Sequence, residues 1–149
     1  MKYVHLIKLT VFSKEEDDEN IVVKKLLSLI PFSIEEEKIK LEKRTAEGFG
    51  DKPIKIFGVT LTKDSHTSEF LKNLREKLAG EQKELILRQA ESRLDEDLNF
   101  FLRFDKEKLI NEDKLWITDS GNCFHIKISI AAFPKRRENG LGIVKMIFN

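Results

Sequence analysis

Cysteine and histidine are scarce in this sequence, which has one cysteine and three histidines in 149 residues. The single thiol, Cys123, cannot form an internal disulfide. The histidines are too scattered to join it in a Cys/His cluster with the spacing of a structural zinc site. We therefore expect no bound metal and no cofactor.

Long apolar runs are also absent, because no stretch of about 18 apolar residues occurs. The first residues, Met1 to His5, lack the charged, apolar and small-residue zones of a signal peptide. We expect a soluble, cytoplasmic protein without a membrane partner. The length and the 40% hydrophobic content fit one globular domain, residues 1–149. Lysine and glutamate are abundant while cysteine and methionine are rare, which indicates a thermophilic source.

The charges of the chain nearly cancel, with 27 basic against 26 acidic residues and a net charge of +1. This excludes a uniformly basic protein that global charge would hold to nucleic acid or membrane. The charges are nevertheless segregated, because segments 1–12, 38–63 and 120–149 together carry +10 and the remaining segments carry −9. The pattern predicts a basic sheet surface and an acidic helical surface; ordinary solvated charges on every face are the alternative.

The apolar periodicity predicts six strands, at residues 3–12, 39–44, 54–61, 98–104, 115–118 and 124–133. Helices are predicted at residues 21–30, 65–78, 81–94 and 141–147, with a turn or short helix at 105–110. Ser65, Thr67 and Ser68 are expected to cap the second helix, and Gly80 to end it. This order predicts an α+β fold, a two-layer sandwich in which helices cover one face of a mixed sheet of about five or six strands. Side chains on the other face are then the first candidates for function.

Catalytic signatures are missing. The loop from Gly48 to Pro53 contains Gly-x-Gly and Lys52, whose backbone amides could cradle a phosphate, but the rest of a nucleotide-binding fingerprint is absent and a plain hairpin loop is favoured. Carboxylate pairs such as Asp95 and Asp97 lie in charged turns rather than in a predicted cleft. The histidines have no motif-spaced nucleophile beside them, so we expect no enzyme.

An aromatic-rich stretch contains Phe100, Phe101, Phe104 and Trp116. Aromatic side chains that lie exposed on a sheet can stack with unpaired bases. Core packing is the favoured interpretation, because aromatic residues supply much of the buried area of a small domain. At most one or two of these side chains are expected to face outward.

Several strings in the chain resemble a known family. They are Pro53-Ile54-Lys55-Ile56, Phe70-Leu71-Lys72-Asn73-Leu74, Leu102-Arg103-Phe104-Asp105-Lys106, Ile126-Lys127-Ile128 and Ala131-Ala132-Phe133-Pro134-Lys135-Arg136-Arg137-Glu138. The sequence from about Val4 to Ile147 resembles the archaeal family described as RNA-binding proteins or predicted exosome subunits. The resemblance implies RNA as a partner. It also implies a fold similar to that of the large-subunit ribosomal protein that binds the small RNA of that subunit.

The leading hypothesis is a non-enzymatic RNA-binding domain that is accessory to RNA processing or exosome-type degradation, within an RNA-processing protein complex. Contacts to the phosphate backbone are predicted for seven basic residues: Arg44, Lys52, Lys55, Lys127, Lys135, Arg136 and Arg137. The alternative is a protein-interaction or homodimerisation module that does not bind nucleic acid.

Overall fold

The computed structural model describes residues 2–48, 50 and 52–149, and in this part of the chain five strands form one sheet. The strands are β1 (Val4–Ser13), β2 (Glu42–Glu47), β3 (Pro53–Leu61), β4 (Asn99–Asp105) and β5 (Cys123–Ile130). The helices are α1 (Glu19–Ser28), α2 (Asp64–Lys77), α3 (Gly80–Arg88), α4 (Ala90–Arg93), α5 (Lys106–Glu112) and α6 (Arg137–Phe148). The predicted two-layer α+β fold is confirmed.

The strand order in the sheet is β2-β3-β1-β5-β4, and every neighbouring pair is antiparallel. The sequence predicted a mixed sheet, and that prediction is wrong, because all the strand pairs are antiparallel. The physical reason is the position of β3 and β5. Strands β1, β2 and β4 run in the same direction, but β3 lies between β1 and β2, and β5 lies between β1 and β4, so no two parallel strands meet.

The predicted strand at residues 115–118 does not join the sheet as a strand. It forms only a bridge to the outer edge of β4, where Asp105 N donates to Trp116 O at 2.8 Å and Thr118 N donates to Arg103 O at 3.0 Å. The backbone N–H of Ile117 points the other way and donates to Gln82 Oε1 at 2.7 Å. A side chain of α3 thus takes the donor that a longer ladder would need.

Helix starts and ends explain the other departures from the predicted elements. Asp18 caps α1 by accepting from Asn20 N and Ile21 N. In contrast, α2 begins before its predicted Ser/Thr cap, and Thr67 Oγ1 donates to a carbonyl inside the helix. Gly80 opens α3 rather than ending α2, because Leu78 is already extended and buried.

The predicted helix at residues 81–94 is divided into α3 and α4 at Gln89, whose backbone has φ −97° and ψ 10°. The last helix, α6, starts at Arg137, which is earlier than predicted. Gly140 suits the first turn of α6 because the helix packs closely against Leu98, the residue before β4. A Cβ added at Gly140 would lie 3.1 Å from Leu98 Cδ2.

The core lies between the sheet and the helices. Alternate residues of the four longer strands are buried there over most of their length, and in β3 the buried positions begin only at Phe57. These residues are Ile7, Leu9, Val11, Phe57, Val59, Leu61, Phe100, Leu102, Phe104, Phe124, Ile126 and Ile128. Burial of each such side chain contributes about 1.5–3 kcal/mol, so this face fixes the register and leaves the alternate residues on the opposite face.

Candidate nucleic-acid interface

The side of the sheet that faces away from the helices carries polar, basic and aromatic side chains, and we call it the open face. Strand register places on it Lys8, Thr10, Phe12, Glu42, Arg44, Ala46, Ile54, Ile56, Gly58, Thr60, Asn99, Phe101, Arg103, His125, Lys127 and Ser129. One row of this face crosses all five strands, through Glu42, Gly58, Thr10, His125 and Arg103.

Three pockets adjoin one another across the open face and together form a groove. The first, of about 380 Å³, lies over β2, β3 and β1 and is lined by Lys8, Lys40 and Arg44 among others. It shares Thr10 and Phe12 with a second pocket of about 300 Å³. The second shares Arg103 and His125 with a third of about 570 Å³ beside α4. The groove thus runs across the strands, over a width of about 19 Å for four strand spacings.

Basic side chains on the open face have few acidic neighbours. Across the described residues, no carboxylate oxygen lies within 4.0 Å of the terminal nitrogens of Lys8, Arg44 or Lys127. Lys8 and Lys127 are directly opposite each other on β1 and β5. Like charges in this position destabilise a sheet, so the arrangement favours a bound anion.

His125 and Phe101 form a ring pair on the same face, with ring centroids 5.5 Å apart and planes at 36°. Burial, and then the charges of Arg103 and Lys127, hold the pKa of the His125 imidazole below its ordinary value. The ring is therefore neutral at pH 7 and lies between two cations as an uncharged, half-buried surface.

The seven residues predicted to contact phosphate do not form one surface. Arg44 and Lys127 lie on the open face, and Lys52 is exposed where β2 turns into β3. Lys55 shares the helix side of β3 with Phe57, and its Nζ is 2.9 Å from Glu19 Oε2 at the start of α1. Lys55 is thus directed away from the groove and is paired with a helix carboxylate, which Lys43 shares.

The run from Lys135 to Arg137 lies at the opposite end of the sheet from Lys52, because β5 ends beside the beginning of β1. Lys135 and Arg136 are exposed there. Arg137 instead donates to Leu94 O at 2.9 Å and to Glu91 O, so its guanidinium joins the start of α6 to the end of α4. Its contacts are those of a residue that stabilises the fold.

The aromatic residues divide as the core interpretation predicted. Phe100 and Phe104 are fully buried, whereas Phe101 is half-buried on the open face. Trp116 is 39% exposed at the outer edge of β4, with Lys108 Nζ 5.1 Å from its ring centroid. Phe12, which the sequence did not single out, is 45% exposed in the groove.

In its described residues, the glycine loop connects β2 and β3 as a hairpin. Gly48 N donates to Lys52 O at 2.8 Å, and Gly50 has a φ of +70°. Phe49 and Asp51, which belong to the alternative phosphate-cradling loop, lie outside the described residues. The hydrogen bond and the positive φ are typical of a tight β2–β3 connection.

Other chemical groups have local structural explanations. Asp95 Oδ1 accepts from Asp97 N at 2.9 Å and from Asn99 N at 2.8 Å, so the acidic pair forms a turn. Burial raises the pKa of the Cys123 thiol, which lines the middle pocket of the groove. Within the described ranges, no three His, Cys, Asp or Glu side chains are grouped to hold a metal ion. No helix in them has the length and apolar character needed to cross a membrane.

The groove-lining residues that the sequence did not single out as candidates are Lys8, Arg103, His125 and Phe12. A signal for two of them was present: Lys8 and Phe12 alternate with Ile7, Leu9 and Val11, so they must leave the core on the far side of β1. Arg103 and His125 each alternate with buried residues of their own strand, which indicates that both leave the core. That they lie directly opposite each other follows only from the register of β4 and β5.

Comparisons with known proteins find similarity to proteins described as RNA binding. A family described as RNA binding matches residues 6–130. The chain is 29% identical over 135 residues to a protein of Pyrococcus abyssi named "RNA-binding protein PAB1135", covering 90% of this chain and 86% of that one.

Two solved structures are similar in fold and sequence. One is protein AF2318 from Archaeoglobus fulgidus, with a TM-score of 0.85, 27% identity, and coverage of 97% of this chain and 99% of that one. The other is Mth689 from Methanothermobacter thermautotrophicus, with a TM-score of 0.80, 27% identity, and coverage of 99% and 100%. Because the family match extends over well more than half of the sequence, the chain belongs to the family described as RNA binding.

Proposed function

We propose that this chain is a non-enzymatic RNA-binding protein whose groove holds a short stretch of RNA, with Lys8, Arg44 and Lys127 contacting phosphates. One observation carries the proposal: the three basic side chains share the open face and have no carboxylate within 4.0 Å among the described residues. Membership in a family described as RNA binding supports RNA over other polyanions.

The opposition of Lys8 and Lys127 gives the open face a preference for anions before any ligand arrives. Their Cβ atoms are about 5 Å apart in such a pair, and the two ammonium groups repel each other. A phosphate between them removes that repulsion and releases condensed counterions from the RNA. Both effects favour binding at low salt.

Phosphate contacts carry no base information, so binding through these residues has little sequence preference. This suits a protein that must accept many RNA molecules, and we propose an accessory role in RNA processing or exosome-type degradation. Lys52 lies beyond one end of the strands, and Lys135 and Arg136 lie beyond the other, so these residues flank the groove and are proposed to contact phosphates of RNA that extends past its sides. Lys55 and Arg137 are left out of the proposed contacts because other groups of the fold already hold them.

The test is the salt dependence of RNA binding by two triple variants of equal charge. The first replaces the open-face residues with glutamine: Lys8→Gln, Arg44→Gln and Lys127→Gln. The matched control removes three exposed lysines of the helical layer: Lys24→Gln, Lys72→Gln and Lys145→Gln. Affinity for a mixed-sequence RNA of twelve nucleotides is measured by fluorescence anisotropy between 50 and 400 mM salt.

The open-face variant should lower the slope of log affinity against log salt by about 2, since each phosphate contact on a single strand contributes about 0.7. The control should change the slope by less than one contact. Equal effects of the two variants would reject the groove as the site, and a lack of RNA binding by the unaltered protein at 50 mM salt would reject the function itself.

Homodimerisation is tested in the same samples by light scattering. The exposed edge of the sheet is β2, which carries Glu42, Lys43, Arg44 and Glu47, and charged edge strands resist pairing with a second copy. We therefore expect a monomer of 17.4 kDa at all concentrations. A concentration-dependent dimer that binds no RNA would favour the protein-interaction alternative.

A further inference from the structure

The third pocket of the groove differs from the other two because it has the largest volume of the three and because α4 forms one of its walls. It lies where α4 and the segment at Asp119 flank the end of the open face on β4. Its volume of about 570 Å³ lies in the range of about 300–1,000 Å³ that is typical of small-ligand sites. The lining includes guanidinium groups that can bind a phosphate, from Arg93 and Arg103, and rings that can stack on a base, from Phe101 and His125. Two carboxylates, of Asp95 and Asp119, also line it.

Phe101 and His125 provide a ring surface that exists without a ligand. Their centroids are 5.5 Å apart, both rings are half-buried, and each is held by its place in a strand. A base that stacks on such a pair orders few additional side-chain torsions, which keeps the entropic cost of binding low. Burial lowers the pKa of His125, and the charged groups that face it are Arg103 and Lys127, so its ring is uncharged at neutral pH.

Arg93 and Arg103 have different positions in this pocket. Arg93 is engaged by the fold, since its Nε and Nη2 donate to Gln89 Oε1 at 2.9 and 2.5 Å, and its side chain is only 11% exposed. Arg103 is exposed, and within the described residues its guanidinium makes one hydrogen bond, from Nη1 to Asp119 O at 3.2 Å. A guanidinium has five N–H donors, so Arg103 retains donors for a phosphate.

We propose that this pocket binds one unpaired nucleotide of an RNA strand in the groove, with its base against Phe101 and His125 and its phosphate at Arg103. The proposal rests on the RNA-binding function proposed above and adds that the ligand is single-stranded. In an A-form duplex the bases are stacked and paired, and a base can enter a pocket only from a single strand, a loop or an end.

The experiment compares single-stranded and duplex RNA with variants of Phe101. The probes are a ten-nucleotide uridine RNA and a blunt mixed-sequence duplex. Phe101→Leu should weaken binding of the single strand by about 5- to 150-fold, the usual loss for one stacked base, without changing the salt slope. Phe101→Tyr should restore most of that loss. Trp116→Leu is the control, because it removes an exposed aromatic outside the groove and should leave affinity unchanged.

Arg103→Gln should lower the salt slope by about 0.7, which identifies its phosphate contact separately from the stacking of the base. Circular dichroism and the melting temperature confirm that each variant is folded. Equal affinity of the wild type for the duplex and the single strand, or an unchanged affinity of Phe101→Leu, would overturn the nucleotide pocket. If in either case the open-face triple variant still has a lower slope of log affinity against log salt than the wild type, the RNA-binding function stands without the pocket.

Free uridine monophosphate provides the last arm. At millimolar concentration it should displace the uridine RNA only weakly, because a single nucleotide lacks the contacts at Lys8, Arg44 and Lys127. Displacement with an affinity equal to that of the ten-nucleotide RNA would show a mononucleotide site and overturn the inference that the pocket serves an RNA strand.

Discussion

Replacing Lys106 with methionine should destabilise the protein by about 3 kcal/mol. The side chain is 5% exposed, and its Nζ donates to Phe12 O at 2.5 Å and to Asp17 Oδ2 at 2.8 Å. A hydrogen bond that involves a charged group contributes about 1.5–3 kcal/mol. Asp17 is 28% exposed and can be rehydrated when its partner is lost, which keeps the total below the sum of two maximal values.

The measurement is urea unfolding followed by circular dichroism at pH 7. For a chain of this length, about 3 kcal/mol corresponds to a fall in Tm of about 6–12 °C. Lys108→Met is the matched control on the same helix, because Lys108 is 40% exposed and lies 3.7 Å from Glu112 on the surface. That variant should change stability by less than about 0.5 kcal/mol. A loss below 1 kcal/mol for Lys106→Met, or equal losses for the two variants, would refute the reasoning.

The pH dependence provides a second check on the same pair. Burial opposes the charge on Asp17, but hydrogen bonds from Lys106 and from the backbone of Lys14 hold its pKa below the ordinary value. A depressed carboxyl pKa gives stability that is present above the unfolded pKa, about 3.9, and is lost as pH falls through the folded pKa. The stability difference between wild type and Lys106→Met should therefore shrink below about pH 4. A constant difference from pH 3 to pH 7 would contradict the assignment.

Two further substitutions separate the groove from the framework. Gly58→Val places a side chain in the first pocket of the groove, where a Cβ meets Leu9 O at 3.4 Å and Glu42 Oε2 at 3.5 Å. It should weaken RNA binding about tenfold, measured by anisotropy, without lowering Tm. Unchanged affinity would indicate that RNA does not cross this strand. Arg137→Gln should lower the free energy of unfolding by about 1–2 kcal/mol, measured by urea, and leave the salt slope of RNA binding unchanged. If Arg137→Gln instead lowered the salt slope of RNA binding and left the free energy of unfolding unchanged, Arg137 would belong among the phosphate contacts.

The sequence was sufficient for the layers and for much of the sheet. In β5, strict alternation from Phe124 to Ile130 required one buried and one open face, and the structure has both. The same physical rule locates Lys8 on the open face, since Ile7 and Leu9 on either side are fully buried. These predictions depend only on the side-chain period within one strand.

Predictions that depend on register or on distant contacts could not be made in this way. In β3 the residues from Ile54 to Leu61 are mostly apolar at both parities, so the sequence did not tell which face carries Lys55. Its pairing with Ser13 and the proximity of Glu19 decide the matter. Arg137 was equally ambiguous, because its acceptors are carbonyls more than forty positions earlier in the chain.

The middle position of β1 has a consequence for how the protein is made. Of the five described strands, β1 is synthesised before the others, yet one of its two neighbours, β5, begins at Cys123. At about 5–20 residues per second, the ribosome needs about 5–20 s to make residues 14–122 before that partner exists. Until β5 is made, β1 can pair only with β3, so Ile7, Leu9 and Val11 lie in an incomplete sheet. We therefore expect nascent chains that stop before β5 to remain unfolded and to depend on chaperones.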